Sequence, residues 1–345
     1  MTNIQALQVP VLTLTLAGDA DGVRSVTGYW SPLPVERLLT GREAASVDVV
    51  LNTMLALCRH AQCAASAHAL AAAQATNPLI VVNDEAVELE AARETLRRWL
   101  IDFPSVFGGV WDNRVVAQWT RLDTRERMAD FCTMQVFGTS ARAWLALPEA
   151  GLAQWAANTA TLPARWLHDL LEHAMRPVSL SPARVLQHVR ENAGAWLAGQ
   201  PQTWPAHADL WNEPTHAPDL ASALLLARLR RLARFCANPA HEANGANGMD
   251  RMDVVNTTAG SLRHDDIGIG WARCARGVLV HLARIENGKV AAYRIIAPTR
   301  WNFGPANLLQ DALRDLPWSV AQPLARRLAL LLDPCAPYRI EVHHA

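Results

Sequence analysis

Closely spaced cysteines are missing from this sequence. Its six cysteines, Cys58, Cys63, Cys132, Cys236, Cys274 and Cys335, are scattered over 345 residues without one Cys-x-x-Cys pair. That excludes the disulfide framework of a small secreted domain and argues against a structural zinc module. A charge excess is missing as well: 32 basic residues face 32 acidic ones. A general nucleic-acid or anionic-membrane surface needs a basic surplus, so neither partner is expected, while little repulsion opposes self-association. No apolar run is long enough to span a bilayer, and the opening MTNIQALQVPVLTLTLAG has no basic start. The chain is therefore expected in the cytoplasm, without membrane insertion. A Gly-x-Ser-x-Gly elbow, a phosphate-binding glycine loop and a dinucleotide fingerprint are all absent, which removes support for three large enzyme classes.

What is present is a large core. Half of the residues are apolar and 13 are tryptophan, enough for one extensive interior with aromatic mass. VPVLTLTL at 9–16 alternates apolar residues with threonine, and GDADG at 18–22 supplies a turn, so a hairpin is expected with its return over 23–30. Asp19 and Asp21 belong to that turn; Trp30 stands where a calcium loop would need Glu. Helices are expected over 43–76 and 84–102. Another begins after Asp219, with Leu225, Leu229, Leu232 and Cys236 as its apolar stripe and Arg228, Arg230, Arg231 and Arg234 on a solvated face. A long loop is expected over 238–266. Beyond it, GVLVHLARIE and KVAAYRII flank Asn287-Gly288, the signature of a type I′ hairpin with Glu286 opposite Lys289. These readings give one domain over 1–345, α+β and predominantly helical, with small β-hairpins near both ends and a helical bundle between.

Tested for chemistry, CRHAQCAASAH at 58–68 does not make a ligand set from one regular helix. Steps of five turn Cys58, Cys63 and His68 onto different faces, so packed helical cysteines are the simpler reading, and Cys132, Cys236 and Cys274 are likewise read as packing. His168 and Glu172 have the spacing of an ordinary i,i+4 pair. Taken alone, the residues name no reaction.

Three stretches nevertheless resemble the large subunit of nickel–iron hydrogenases. CARGVLVHLARIENGKVAAYRIIAPTRWNFGP is similar to that family's Pro-Arg-Gly strand, its hairpin and the Pro-Thr-x-Trp-Asn-x-x-Pro segment after it. Asp333-Pro334-Cys335 matches the first half of the C-terminal Asp-Pro-Cys-x-x-Cys-x-x-His. LPVERLLTGRE and RHAQCAASAHALAAAQA resemble the Arg-Gly-x-Glu segment and the Arg-x-Cys-Gly-x-Cys-x-x-x-His helix start. The departures fall on the metal ligands. With Arg59 and His68 on the motif arginine and histidine, Ala61 and Ala64 occupy the two cysteine positions, and Cys63 is one residue out of register. At the other end Tyr338 and Glu341 take the places of the second cysteine and the histidine.

Matched position by position, Glu36 falls on the glutamate that passes protons near the metals, Arg276 on the arginine beside the diatomic ligands, and Asp333 on the aspartate of the same surroundings. Trp301 and Asn302 carry the Trp-Asn of the segment after the hairpin. One of four thiolates, Cys335, is kept, so nickel cannot be held in a sulfur-rich cage. The pattern is similar to hydrogenase assembly proteins of the HupK/HoxV type. It implies a non-catalytic maturation scaffold, without catalytic residues and without nickel, that transiently carries iron with cyanide and carbonyl ligands, the Fe(CN)2(CO) fragment. Cys335, with Cys63 as second candidate, would be the iron ligand, and Arg276, Asp333, Glu36, His68, Arg59, Trp301 and Asn302 would surround it. The implied partners are the maturation chaperones of the iron-delivery complex and the hydrogenase large-subunit precursor. A divergent hydrogenase, and a metal-free or quinone-binding relative of the fold, are the alternative readings.

Overall fold

The computed structural model describes residues 11–75, 83–174, 178–180, 185–200, 215–237, 258–304 and 308–344. The chain opens with the expected hairpin of β1 (Leu12–Asp19) and β2 (Gly22–Tyr29). Leu12, Leu14 and Leu16 point into the core, as the alternation requires. Asp19 closes the turn, accepting from the Asp21 N–H at 3.0 Å and pairing with Arg24 at 2.8 Å. Next come α1 (Val35–Leu39), α2 (Val47–Met54) and α3 (Arg59–Ala73). The single helix expected over 43–76 is thus broken at 55–58, where Cys58 adopts a left-handed conformation with φ of 58°. α4 (Asp84–Ile101) follows, capped by the Asn83 side chain on the Ala86 N–H.

Helices including Arg125–Cys132, Glu149–Asn158 and Leu162–Glu172 form the bundle of the middle region. Trp99, Trp144, Trp155 and Trp166 are buried in it, in one apolar cluster. His168 and Glu172 pair across one helical turn at 3.3 Å. A two-stranded sheet joins β3 (Val178–Leu180) to β4 (Thr215–Ala217), and α5 (Leu220–Ala237) is capped by Asp219, whose carboxylate accepts from the Ser222 N–H at 2.8 Å. The solvated face expected for its arginines needs correction. Arg228 is buried, donating to the Leu331 carbonyl at 3.0 Å, and Arg231 is partly buried, donating to the Cys274 carbonyl. Each arginine reaches a backbone carbonyl far along the chain, a demand that periodicity alone cannot reveal.

The second sheet is an antiparallel meander of β5 (Ala259–His264), β6 (Ile267–Cys274), β7 (Gly277–Glu286) and β8 (Lys289–Ile296). Residues 238–257 of the expected loop lie outside the described residues, and 259–264 are strand rather than loop. Asn287 and Gly288 both have positive φ, as a type I′ turn demands. Glu286 and Lys289 are register partners, while the Lys289 ammonium lies 3.8 Å from Glu43. The chain ends with α6 (Pro298–Asn302), α7 (Trp318–Leu332) and β9 (Tyr338–His344). β9 pairs in parallel with β1, completing a sheet of order β2-β1-β9. His343 and His344 therefore sit in a strand, with exposed side chains.

α3 lies directly on β6, and the sequence explains how. Alanines dominate the buried face of α3, and β6 carries Gly268 and Gly270 beneath them. A Cβ at Gly270 would stand 2.0 Å from the Ala65 carbonyl oxygen and 2.3 Å from the Ala69 nitrogen; at Gly268 it would meet the Ala69 carbonyl at 2.0 Å. Backbone contact this close leaves no room to relax. Gly270→Ala is expected to lower the unfolding free energy by about 3 kcal/mol, the upper end of overpacking costs, measured by chemical denaturation.

Between the same layers lies a buried polar chain. The His281 ring bonds Tyr293 Oη and Gln62 Oε1, both at 2.8 Å, and Tyr293 donates to Ser66 at 2.9 Å. Burial holds His281 at about 3 and His68 at about 4, below the ordinary 6.5. The unfolded chain binds protons below pH 6.5 that the folded chain refuses until pH 3–4. Stability is therefore full above the ordinary value and is lost as pH falls through this window. Each histidine should contribute a slope of about 1.4 kcal/mol per pH unit there. His281→Gln should remove one such contribution, read from denaturation midpoints at stepped pH.

Candidate functional site

The site gathers where three chain segments meet: the 55–58 break before α3, the β6–β7 turn, and the C-terminal end of α7. Cys274 pairs with Gly277 in β-register, so Ala275 and Arg276 form the tip of a tight turn. Arg276 is 1% exposed. A guanidinium so placed must be paired, and its partners come from three elements. Nη2 donates to Glu94 of α4 at 2.6 Å, Nη1 donates to the Cys58 thiol at 3.1 Å, and Nε lies 3.5 Å from Asp333. Burial works against the charge, yet the carboxylates of Asp333 and Glu94 outweigh it and keep Arg276 cationic.

Asp333 caps α7 in a left-handed conformation with φ of 50°. Its other oxygen lies 2.6 Å from Arg98 Nε, and the same guanidinium reaches Asp102 and the Pro334 carbonyl, each at 2.9 Å. Two arginines and one carboxylate thus fix the turn that carries Cys335. Thr299 of α6 holds the cysteine itself: its hydroxyl accepts from the Cys335 N–H at 3.0 Å and lies 3.1 Å from the sulfur. Asn302, one helical turn on, donates to the Leu332 carbonyl at 3.3 Å and the Arg276 carbonyl at 3.4 Å, while its own side-chain oxygen is buried without a partner. The polar segment PTRWN therefore stitches the Arg276 turn to the Cys335 turn.

Cys335, Arg276, Asp333 and Asn302, proposed from the sequence, come together here. Trp301 packs beside them into the apolar cluster under the second sheet. The others lie elsewhere. Cys63 donates to Asn52 of α2 at 3.3 Å, Glu36 accepts from the Ile295 N–H at 3.4 Å and lies 3.9 Å from Arg294, His68 sits midway along α3, and Arg59 is exposed at its start. Cys58 and Cys274, assigned to packing from sequence, sit beside Arg276 instead: its guanidinium donates to Cys58, and Cys274 opens its turn. The signals were proximity in sequence: Cys58 precedes the motif Arg59, and Cys274 lies two residues before Arg276.

The neighbouring Cys274 and burial push the Cys58 thiol up, while Cys58, the Arg276 N–H and nearby arginines bring Cys274 down. Burial pushes Cys335 up against the opposing pull of Thr299 and Arg276, and pushes Cys63 up to about 12. Among the described residues no three His, Cys, Asp or Glu side chains are grouped closely enough to hold a metal ion. Asp333→Asn keeps the left-handed backbone, which Asn tolerates, but leaves the buried Arg276 and the half-buried Arg98 without the anion they share. A loss of about 3–5 kcal/mol in unfolding free energy is expected, read by urea denaturation.

Comparison with known proteins agrees with this geometry. Residues 237–312, which include the Arg276 turn, α6 and the meander, match the nickel-dependent hydrogenase family. The chain is 29% identical to the hydrogenase expression/formation protein HupK of Azotobacter vinelandii, over 94% of this chain and 96% of that one. It is 27% identical to the hydrogenase expression/formation protein HoxV of Cupriavidus necator, over 90% and 91%. A chain of the reduced, active Ni-Fe-Se hydrogenase of Desulfomicrobium baculatum superposes with a TM-score of 0.50 at 12% identity, covering 93% of this chain and 95% of that one. The protein thus has the fold of the nickel–iron hydrogenase large subunit and is similar, along most of its length, to the hydrogenase expression/formation proteins HupK and HoxV.

Proposed function

We propose that this protein serves hydrogenase maturation as a non-catalytic scaffold, binding an iron fragment that bears cyanide and carbonyl ligands and passing it on. The observation that carries the reading is a contrast within one site. The Arg276–Asp333 pair, Asn302 and the Thr299-held Cys335 are all in place, while Ala61, Ala64 and Tyr338 stand where the resemblance puts thiolates. Such a site suits a cargo that brings most of its own ligands. A soft iron centre takes the Cys335 sulfur, and the half-buried position of Cys335 gives it access.

Arg276 supplies directed hydrogen bonding. A guanidinium carries five N–H groups, so donors remain beyond those directed at Cys58, Glu94 and Asp333. These suit cyanide nitrogens, and the rigid ion pairs around Arg276 hold them in place without reorganisation. Ligation through few protein sulfurs is weak by design of the sequence, which favours release. The maturation chaperones that deliver iron and the hydrogenase large-subunit precursor are the partners this role requires. The same loss of thiolates speaks against hydrogen turnover by the chain itself.

Co-expression with the maturation machinery, followed by strictly anaerobic purification, tests the reading. Infrared spectra of the wild-type chain should show cyanide and carbonyl stretches with iron bound and nickel substoichiometric, and Cys335→Ala should remove the bands. Absence of bands from the wild type, or stoichiometric nickel with hydrogen uptake, would overturn it.

A further inference from the structure

Two thiols of this site belong to no matched motif position. Cys58 and Cys274 come from different segments, one ahead of α3 and one at the end of β6, yet both lie beside Arg276. Its guanidinium donates to Cys58 at 3.1 Å, and Cys274 opens the tight turn that carries it. Their surroundings are the ones the lost ligands would have had. Ala61 and Ala64, which stand on the two motif cysteines, are buried in a single apolar cluster with Cys274, and Cys58 packs against it. Soft donors thus stand beside the α3 positions that the alanines occupy.

We infer that Cys58 and Cys274 form a paired thiol site beside Arg276 that ligates the iron fragment. This rests on the carrier reading given above. Three features favour a metal over simple packing. Cys58 takes a left-handed backbone with φ of 58°, an uncommon conformation for a residue other than glycine, and the 55–58 break that produces it brings the sulfur to Arg276. Cys58 is only half-buried while Cys274 is buried, so a cargo can approach from one side. Finally, the guanidinium N–H already directed at Cys58 would stabilise a bound thiolate. Two thiols are too few for a bare metal in a sulfur cage. They suffice for iron(II) already carrying diatomic ligands. As two Fe–S bonds form, each S–H proton passes to solvent, water leaves the iron, and the metal keeps its oxidation state.

The experiment has two arms on the full chain. Cobalt(II) added anaerobically to the purified protein should give near-ultraviolet thiolate-to-cobalt charge transfer. That band should be at least halved in Cys58→Ser and in Cys274→Ser and retained in Cys63→Ser. A missing band in the wild type, or one that depends on Cys63 alone, overturns the pair. The second arm uses co-expressed wild type and variants. Infrared bands that persist undiminished in both Cys58→Ser and Cys274→Ser overturn the pair while the carrier reading stands. A cobalt band that depends on both cysteines, with no infrared bands in the wild type, leaves the thiol site standing and removes the carrier reading. Should either variant misfold, alkylation mapping of the wild type decides: cargo should shield Cys58 while Cys63 stays reactive, and equal reactivity of Cys58 with and without cargo overturns the pair.

Discussion

The charge of Arg276 is the constraint around which the rest is arranged. An arginine 1% exposed is tolerable only with anions beside it, and its anions arrive from α4 and from the end of α7. Satisfying it therefore docks those elements against the β6–β7 turn. Arg98 then takes the second oxygen of Asp333, so one carboxylate is shared by two cations. Substituting apolar residues for such a cluster can leave stability unchanged. What it gives here is geometry: the turns bearing Cys58, Cys274 and Cys335 are referred to a single rigid group.

The close seating of α3 on β6 is the second requirement, and it is met by what the residues lack. Alanine above and glycine below let backbone approach backbone. The helix start is fixed from the side by Glu90, whose carboxylate accepts from the His60 and Ala61 N–H groups at 3.1 and 3.3 Å. That capping from another helix frees Cys58 from the role its position would otherwise demand, and its side chain turns towards Arg276 instead.

Much of this was legible in the residues. The alternation of 9–16, the Asn287-Gly288 turn and the Asp219 cap are local signals with local causes, and each element formed where its chemistry placed it. The resemblance located Arg276, Asp333, Asn302 and Cys335, which do share one site. Long-range demands were not legible. Nothing in the stripe of α5 says that Arg228 reaches the Leu331 carbonyl, because that carbonyl is 103 residues away. Cys58 and Cys274 looked like packing for the same reason: each is unremarkable alone, and only folding brings both to one guanidinium. The break at 55–58 has no proline or glycine to announce it.

β9 runs parallel to β1, with Leu12 beside Tyr338 and Gly18 beside His344. Parallel neighbours need a crossover, and here the crossover is nearly the whole described chain. Such pairing is slow to close because so much loop entropy is spent first. On the ribosome, β1 and β2 emerge early, yet β1 keeps an open edge until residues 338–344 have been made. Cys335 stands just ahead of that strand, so Thr299 can hold it only after residues up to 335 have been made. Until then the Arg276 turn stands without the cysteine that its site gathers.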